Sequence, residues 1–365
     1  MLERDPVVDT EFMERCLVLA LQAEGRTAPN PVVGAVVTDA EGRIVGEGYH
    51  QKAGEPHAEV FAFDAAGERA RGGTLYVNLE PCCHYGKTPP CAERVIASGV
   101  TRVVVGMQDP NPKVGGGGIA ALRGAGITVD LAVMEEECQW ANRAFVSKIT
   151  RHRPWVTLKM AATLDGRIAD REGRSRWISG GVAQAYVQKL RNTNDCILIG
   201  ANTARIDDPE LTVRDVPGGR NPARAVIDTR ATLNETARLL IDRNDGSRVF
   251  IFTDVKVTNG FPAHVEVVKT ESKDGRLNLQ LVLAHLGGAG INSVLCEGGG
   301  KLAGSLLEAG LVDEVHWIVA PKILCDDRAV SSVSSELAVP LEDLRMLKNI
   351  RVERLGNDVI IVGTL

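Results

Sequence analysis

The chain has 365 residues, which at roughly 100–200 residues per domain gives two domains. Its 44% hydrophobic and 24% charged composition can fill two cores and argues against long disordered stretches. With 42 Lys plus Arg against 47 Asp plus Glu, the formal charge of −5 offers no basic field to a nucleic-acid backbone, so no nucleic-acid partner is expected.

Met1–Asp9 is too charged for a secretory signal or transit peptide. Asp9 or Thr10 can cap a helix whose apolar positions Phe12, Met13, Cys16, Leu17 and Ala20 recur at helical spacing, with Gly25 as a stop. The run Val32–Thr38, the turn Ala40–Arg43 and the run Ile44–Tyr49 read as a hairpin. A helix follows from about His57, then a strand over Thr74–Asn78, a Pro- and Cys-rich loop, a helix over Cys91–Ser98 and a strand over Arg102–Met107. Asp109–Gly118 is a Pro/Gly loop, followed by a short helix, a strand over Ile127–Val133 and one helix over Glu135–Ile149. This is α/β alternation.

Pro154 interrupts helix, and a second α/β series begins at Trp155, which puts the domain boundary at residues 150/151. Helix Val182–Arg191, strand Cys196–Gly200, strands near Ala225–Asp228 and Val249–Thr253, helix Leu279–Leu286 and strand Ser293–Cys296 are expected in turn. A glycine turn at Gly298–Gly300, a further helix to Ala309 and a closing hairpin over Ile350–Leu365 complete the chain. The longest uncharged window, Leu277–Cys296, is broken by Asn278, Gln280, His285 and three glycines, so no membrane span is expected and the location is read as cytoplasmic.

Eight cysteines in so long a chain do not make a disulfide scaffold, and three of them fall within ten residues. His57-Ala58-Glu59 at a helix start, with Pro81-Cys82 and Cys91, supplies one imidazole and two thiolates and leaves a fourth tetrahedral position for water. Such a metal acidifies its water, and a carboxylate two residues from the His ligand can shuttle the proton, a role that fits Glu59. Cys91, opening a helix, is placed to gain from the helix's positive end. Cys83 stands open as an alternative to Cys82, although Cys82 directly follows Pro81 and matches better. Eight residues separate Cys82 from Cys91, where the general zinc deaminase signature has two.

His57-Ala58-Glu59 with the run from Glu80 to Cys91 resembles the deaminase half of the bifunctional riboflavin biosynthesis enzymes, pyrimidine deaminase/reductases, in which the long inter-cysteine loop is usual and Ser commonly stands where this chain has Cys83. The likeness extends to Asn30–Gly34, His50 and Asp109–Val114. It implies a pocket in which Asn30, Asp109 and Asn111 contact the substrate while His50, His84 and Lys87 hold its phosphate. Two His and one Lys near the metal loop make a reasonable anion clamp in an acidic protein.

In the second half no G-x-G-x-x-G follows a strand, and Glu297-Gly298-Gly299-Gly300-Lys301, a turn from strand to helix, is the substitute phosphate-binding candidate. The runs Lys159–Arg167, Ser175–Ser179, Gly200–Thr203 and Asp207–Arg214 resemble the reductase half of the same family, which is similar in fold to dihydrofolate reductase. That resemblance implies substrate contacts from Ser175, Arg191, Leu211, Arg214 and Glu297, and an NADPH site lined by Ala161, Trp177, Thr203, Asp207, Gly299 and Gly300. Arg191 and Arg214 suit a phosphate because a guanidinium fork matches its oxygens in two-pronged fashion.

The expectation is an α/β chain of two domains: a cytidine-deaminase-like mixed-sheet zinc domain over 1–150 and a dihydrofolate-reductase-like NADPH domain over 151–365. The implied activity is hydrolytic deamination of a phosphorylated diaminopyrimidine with Glu59 as base, then reduction of its ribosyl group, in a homo-oligomer. Two other readings give the zinc site a nucleoside or tRNA substrate beside an inactive second domain, or make the zinc structural with Cys83 or His84 as fourth ligand.

Overall fold

The computed structural model describes residues 6–83, 90–112, 114–257, 260–335 and 340–365. The chain divides into two compact units, Met1–His152 and Arg153–Leu365. The first contains α1 (Pro6–Leu21), β1 (Gly34–Thr38), β2 (Ile44–Tyr49), α2 (Ala58–Ala66), β3 (Thr74–Leu79), α3 (Cys91–Ser98), β4 (Arg102–Met107), α4 (Gly117–Gly124), β5 (Thr128–Leu131), α5 (Glu135–Ala141) and α6 (Arg143–Arg151).

Its sheet has the order β2-β1-β3-β4-β5, antiparallel through β2-β1-β3 and parallel from β3 to β5. Val37, Val77 and Val105, from adjacent strands, are fully buried with Ala62 and Val95 on one face. Burying side chains of this size contributes roughly 1.5–3 kcal/mol each, enough to fix where the strand ends stand. Gly48 lets α2 lie directly on β2, since a Cβ there would come within 2.6 Å of the Ala58 carbonyl oxygen.

The helix expected over Glu135–Ile149 is two helices, broken at Asn142. The cause is tertiary: the Asn142 side chain is 2% exposed and pairs with Val32, its Oδ1 accepting from the backbone N at 2.9 Å and its Nδ2 donating to the carbonyl at 3.1 Å. A strand-like pairing with residue 32 outweighs the uninterrupted helical pattern.

The second unit contains β6 (Trp155–Thr163), β7 (Arg167–Ala169), α7 (Gly181–Thr193), β8 (Cys196–Gly200), α8 (Ala201–Asp207), β9 (Ala223–Ile227), β10 (Val249–Thr253), β11 (Val265–Lys269), β12 (Ser272–Lys273), β13 (Arg276–Leu277), α9 (Leu279–Gly288), β14 (Ser293–Cys296), α10 (Gly300–Glu308), β15 (Glu314–Ala320), β16 (Val330–Ser331), β17 (Lys348–Leu355) and β18 (Asp358–Thr364). Nine strands form one sheet in the order β11-β10-β9-β8-β14-β6-β15-β18-β17, while β16 pairs with β7 and β12 with β13. The sheet is parallel from β11 to β15 and closes with the antiparallel hairpin β17-β18. Both units are therefore α/β with mixed sheets, as expected. Among the described residues no helix is long and apolar enough to cross a membrane.

Candidate functional site

In the first unit β3 delivers the chain to Pro81 and Cys82, while α2 and α3 begin at Ala58 and Cys91. His57, in extended conformation just before α2, and Cys91, the first residue of α3, therefore face the end of β3. One ligand atom from each of His57, Cys82 and Cys91 lies within 4.8 Å of the others. His57 Nδ1 is 3.1 Å from Cys91 Sγ and 3.7 Å from Cys82 Sγ. Tetrahedral zinc, with bonds of about 2.3 Å to sulfur and 2.0 Å to nitrogen, needs N–S separations of about 3.5 Å, so the donor set fits.

The electrostatics agree with a site prepared for a cation. The Cys82 thiol is held well below its ordinary range, first by the hydrogen bond from the Cys91 thiol, against its burial, and then by His57. Cys91 moves up for the same reason, as the proton's holder. From the sequence, Cys91 is the thiolate expected to gain from the helix N-terminus. In the structure the Cys91 backbone N–H donates to Cys82 Sγ at 3.3 Å, so the helix start favours the Cys82 thiolate instead.

Glu59, in the first turn of α2, is 3% exposed, and its Oε2 is buried without a hydrogen-bond partner. Burial pushes its carboxyl upward, opposed by His57. A buried acceptor left unsatisfied beside three metal donors suits a carboxylate awaiting a proton donor. His57, Glu59 and Cys82 line a cavity of about 370 Å³ together with Asn30, His50, Asp109 and Asn111.

His50 is 2% exposed and its ring is engaged at both nitrogens, Nδ1 with the Pro56 carbonyl and Nε2 with Asn30 Nδ2, each at 3.0 Å. With Nδ1 donating to the carbonyl, Nε2 accepts from Asn30, and burial lowers the ring's pKa. His50 thus faces the cavity as a neutral ring. His84 and Lys87 lie outside the described residues. Cys83 is not part of the donor cluster; its Sγ is 3.9 Å from the Val114 carbonyl.

In the second unit a cavity of about 350 Å³ opens where β6, β8 and β14 come together. The C-terminal side of parallel strands is where α/β sheets bind ligands. Substrate candidates Ser175, Arg191, Arg214 and Glu297 line it, as do cofactor candidates Ala161, Trp177, Thr203, Asp207 and Gly299. Gly299 precedes α10, whose first turn has no side-chain cap, and a Cβ on it would come within 3.5 Å of Thr203 Oγ1. An uncapped helix start with a bare backbone approach suits a dinucleotide phosphate.

Leu211 and Gly300 are not among the residues lining this cavity. Leu211 is buried in the core at φ 53°, a left-handed conformation, and the next residue, Thr212, gives its carbonyl to Arg191 Nη1 at 3.1 Å. Gly300 lets α10 pack closely, because a Cβ there would come within 2.3 Å of the Ser331 carbonyl oxygen.

Arg191 forks onto Glu297, Nε to Oε1 at 2.6 Å and Nη2 to Oε2 at 3.0 Å. Burial works against the Glu297 charge, but Arg191 overcomes it and holds the carboxyl below the usual range. Ser175 Oγ donates to Asp207 Oδ1 at 3.1 Å, and Trp177 stands two-thirds exposed at the rim. The cavities are also lined by residues to which the sequence points no role, among them Lys159 and Glu80. Lys159 comes from the middle of β6, its pKa lowered by burial against the pull of Glu297. Glu80 lines the first cavity, and its signal is a charge directly after the buried strand Thr74–Leu79, two residues before Cys82.

Two family models match the chain: the cytidine and deoxycytidylate deaminase zinc-binding region over residues 6–107, and the RibD C-terminal domain over 154–361. The riboflavin biosynthesis protein RibD of Aquifex aeolicus is 40% identical over 97% of this chain and 98% of its own length, and that of Escherichia coli 42% identical over 87% and 89%. Among solved structures, RibD of Acinetobacter baumannii covers 99% of each chain at TM-score 0.88 and 34% identity. The diaminohydroxyphosphoribosylaminopyrimidine deaminase/5-amino-6-(5-phosphoribosylamino)uracil reductase of Thermotoga maritima covers 98% and 99% at TM-score 0.88 and 37% identity.

Fold and site together define a zinc-binding deaminase unit joined to a reductase unit. The chain belongs to the RibD family of bifunctional riboflavin biosynthesis enzymes, hydrolase and oxidoreductase in one polypeptide.

Proposed function

We propose that residues 1–150 carry the deamination and residues 151–365 the reduction, each within the cavity described above. The enzyme acts on a small phosphorylated pyrimidine, with zinc for the first reaction and NADPH for the second. The observation that carries the assignment of the first site is the meeting of the His57, Cys82 and Cys91 donors with the unpartnered Glu59 oxygen at one cavity.

Zinc held by those three residues would supply the acidity that lets a water attack a ring carbon near neutral pH. Glu59 takes the proton from the attacking water and returns it to the departing ammonia. Asn30, Asp109 and Asn111 orient the pyrimidine, and His84 and Lys87 hold its phosphate end. His50, expected from the family likeness to join them, has its one N–H on the Pro56 carbonyl and acts instead by fixing Asn30.

NADPH supplies the hydride in the second cavity. Ala161, Trp177, Thr203, Asp207 and the Gly299-Gly300 turn hold it, with Gly300 acting through the placement of α10. Ser175, Arg214 and Glu297 contact the ribosylamino-uracil, Arg191 fixes the Glu297 carboxylate, and Leu211 acts through the turn that puts the Thr212 carbonyl on Arg191. Arg214 is the phosphate ligand of this reading. Arg214→Ala is expected to raise KM for the deaminated substrate about tenfold and leave ammonia release unchanged. Equal loss of both activities contradicts two separate sites, and absence of substrate-dependent NADPH oxidation in the wild-type chain contradicts the reductase assignment.

The location is cytoplasmic and the partners exclude nucleic acid, in keeping with the net charge of −5. Two copies associate through β17. This edge strand exposes Ile350 and Val352, 58% and 63% accessible, and an antiparallel pairing centred on Val352 would set Arg351 against the Glu353 of a second copy. Light scattering on wild type and Val352→Glu tests this, dimer and monomer being the expected results.

A further inference from the structure

Glu80 has no part in the two reactions described so far, yet it is 3% exposed and both of its carboxylate oxygens are bonded. It is the first residue after β3, followed by Pro81 and the ligand Cys82. Oε2 accepts from the backbone N–H of Gly116 at 2.9 Å and of Asp109 at 3.3 Å, and Oε1 accepts from Ile119 N–H at 3.1 Å. One carboxylate thus receives the start of the Asp109–Gly116 loop, its end, and the first turn of α4.

The loop between those anchors is bonded to itself. Asp109 Oδ1 accepts from Asn111 N–H at 2.8 Å, and the Asn111 carbonyl accepts from Val114 and Gly115 at 2.9 and 2.8 Å. Packing brings the same elements together, since a Cβ on Gly118 would come within 2.0 Å of the Pro81 carbonyl oxygen. The first turn of α4 therefore rests on the turn that leads to Cys82. A carboxylate at a helix start, taking three backbone donors, is favoured by the helix's positive end and by each charge-assisted bond.

We propose that Glu80 is a positioning residue of the deaminase, setting the distance between the metal-ligand turn at Cys82 and the loop that presents Asp109 and Asn111 to the pyrimidine. The proposal rests on reading that cavity as the deaminase site. Glu80 touches neither the scissile amine nor the metal donors in this scheme, so it governs how tightly the ring is held and leaves the chemical step nearly untouched.

The test is steady-state deamination by full-length Glu80→Gln. Gln keeps the length but turns an N–H group toward backbone donors, leaving buried N–H groups unpaired. KM for the diaminopyrimidine should rise about tenfold, while kcat stays within about threefold, zinc stays near one per chain, and KM of the reductase reaction is unchanged. Glu80→Asp, which restores the charge one methylene short, should recover part of the lost KM. A wild-type KM in Glu80→Gln overturns the proposal, and so does loss of zinc and kcat at unchanged KM, which would place the effect on the ligand turn.

Should neither variant fold, amide hydrogen exchange on the wild-type chain decides. The Gly116 and Ile119 amides should exchange at least about a hundredfold more slowly than unprotected amides, and exchange at the unprotected rate overturns the strut. Failure of the underlying reading looks different: the wild-type chain would release no ammonia while those two amides stayed protected.

Discussion

The two cavities solve the problem of gathering reactive groups in opposite ways. At the first, three donor atoms lie within 4.8 Å, the carboxylate beside them is buried with an oxygen unsatisfied, and the surrounding loop is pinned from several directions. At the second, the buried Glu297 carboxylate is already met by the Arg191 fork, Lys159, Arg176 and Arg214 add positive charge to the lining, and the rest comes from well-separated stretches of chain. The first arrangement gathers its donors at one point and holds an unmet polar demand. The second is quieter in one respect, that its buried carboxylate is already partnered, and it has a glycine edge and an exposed Trp177 at its rim.

That contrast predicts a sharp separation of effects, greatest where demand is unmet. Glu59→Gln keeps the shape of the first cavity and removes the base, so ammonia release should fall by about a thousandfold while zinc stays near one per chain. His57→Ala should lose both metal and deamination. In each variant, NADPH oxidation supplied with the deaminated substrate should run at the wild-type rate. A drop in that rate would break the picture of two independent centres, and full deamination by Glu59→Gln would remove Glu59 from the chemistry.

The same contrast explains what could be read from the sequence. His57 and Cys91 were legible because each sits where a loop meets a helix, which helix periodicity marks within a residue or two, and Cys82 because it follows Pro81 in the loop after β3. The α3 boundaries follow from the sequence alone for that reason. Asn142 was not legible, since an Asn in an otherwise helical run gives no sign of its partner 110 residues away. Arg191 and Glu297 are 106 residues apart, and only the tertiary fold turns a charge on α7 and a charge just after β14 into a fork. Leu211 adopts a left-handed conformation that leucine rarely takes, and nothing in its local sequence announces it. The metal-donor set of the deaminase is visible in its own residue types, H-x-E and P-C with a further Cys, whereas the reductase residues could be named in advance only through family resemblance.

The fork itself gives a pH-dependent test of the quieter site. The Glu297 carboxyl is held below its ordinary range, so its ionised form stabilises the folded state. That contribution is fully present above the ordinary carboxylate pKa of about 4.3 and is lost as pH falls through the lower folded value. Glu297→Gln leaves the buried Arg191 charge uncompensated and should cost about 3 kcal/mol at pH 7, with the gap to wild type narrowing below about pH 4. Denaturant melts of the second unit at pH 7, 5 and 3.5 measure it. A gap that stays constant over that range would mean that packing, and not charge, makes the fork matter.

The smallest expected effect bears on whether the first cavity keeps an open coordination position. Cys83 adjoins a metal ligand and is itself a competent one, so a closed structural zinc site could be built by recruiting it. The structure turns its sulfur toward the Val114 carbonyl, and a Cβ on Gly117 would come within 2.6 Å of that sulfur, so Cys83 fills a gap against the start of α4. Cys83→Ser keeps a small donor at the same place and removes a soft ligand. Zinc should remain near one per chain and deamination should stay within about twofold of wild type, read by metal analysis and ammonia release on the same sample. Loss of zinc in that variant would mean that the sulfur swings inward when the metal binds. The fourth corner would then be closed by protein, no water could be activated there, and the contrast between a first site of unmet demand and a quieter second one would fail at its stronger end.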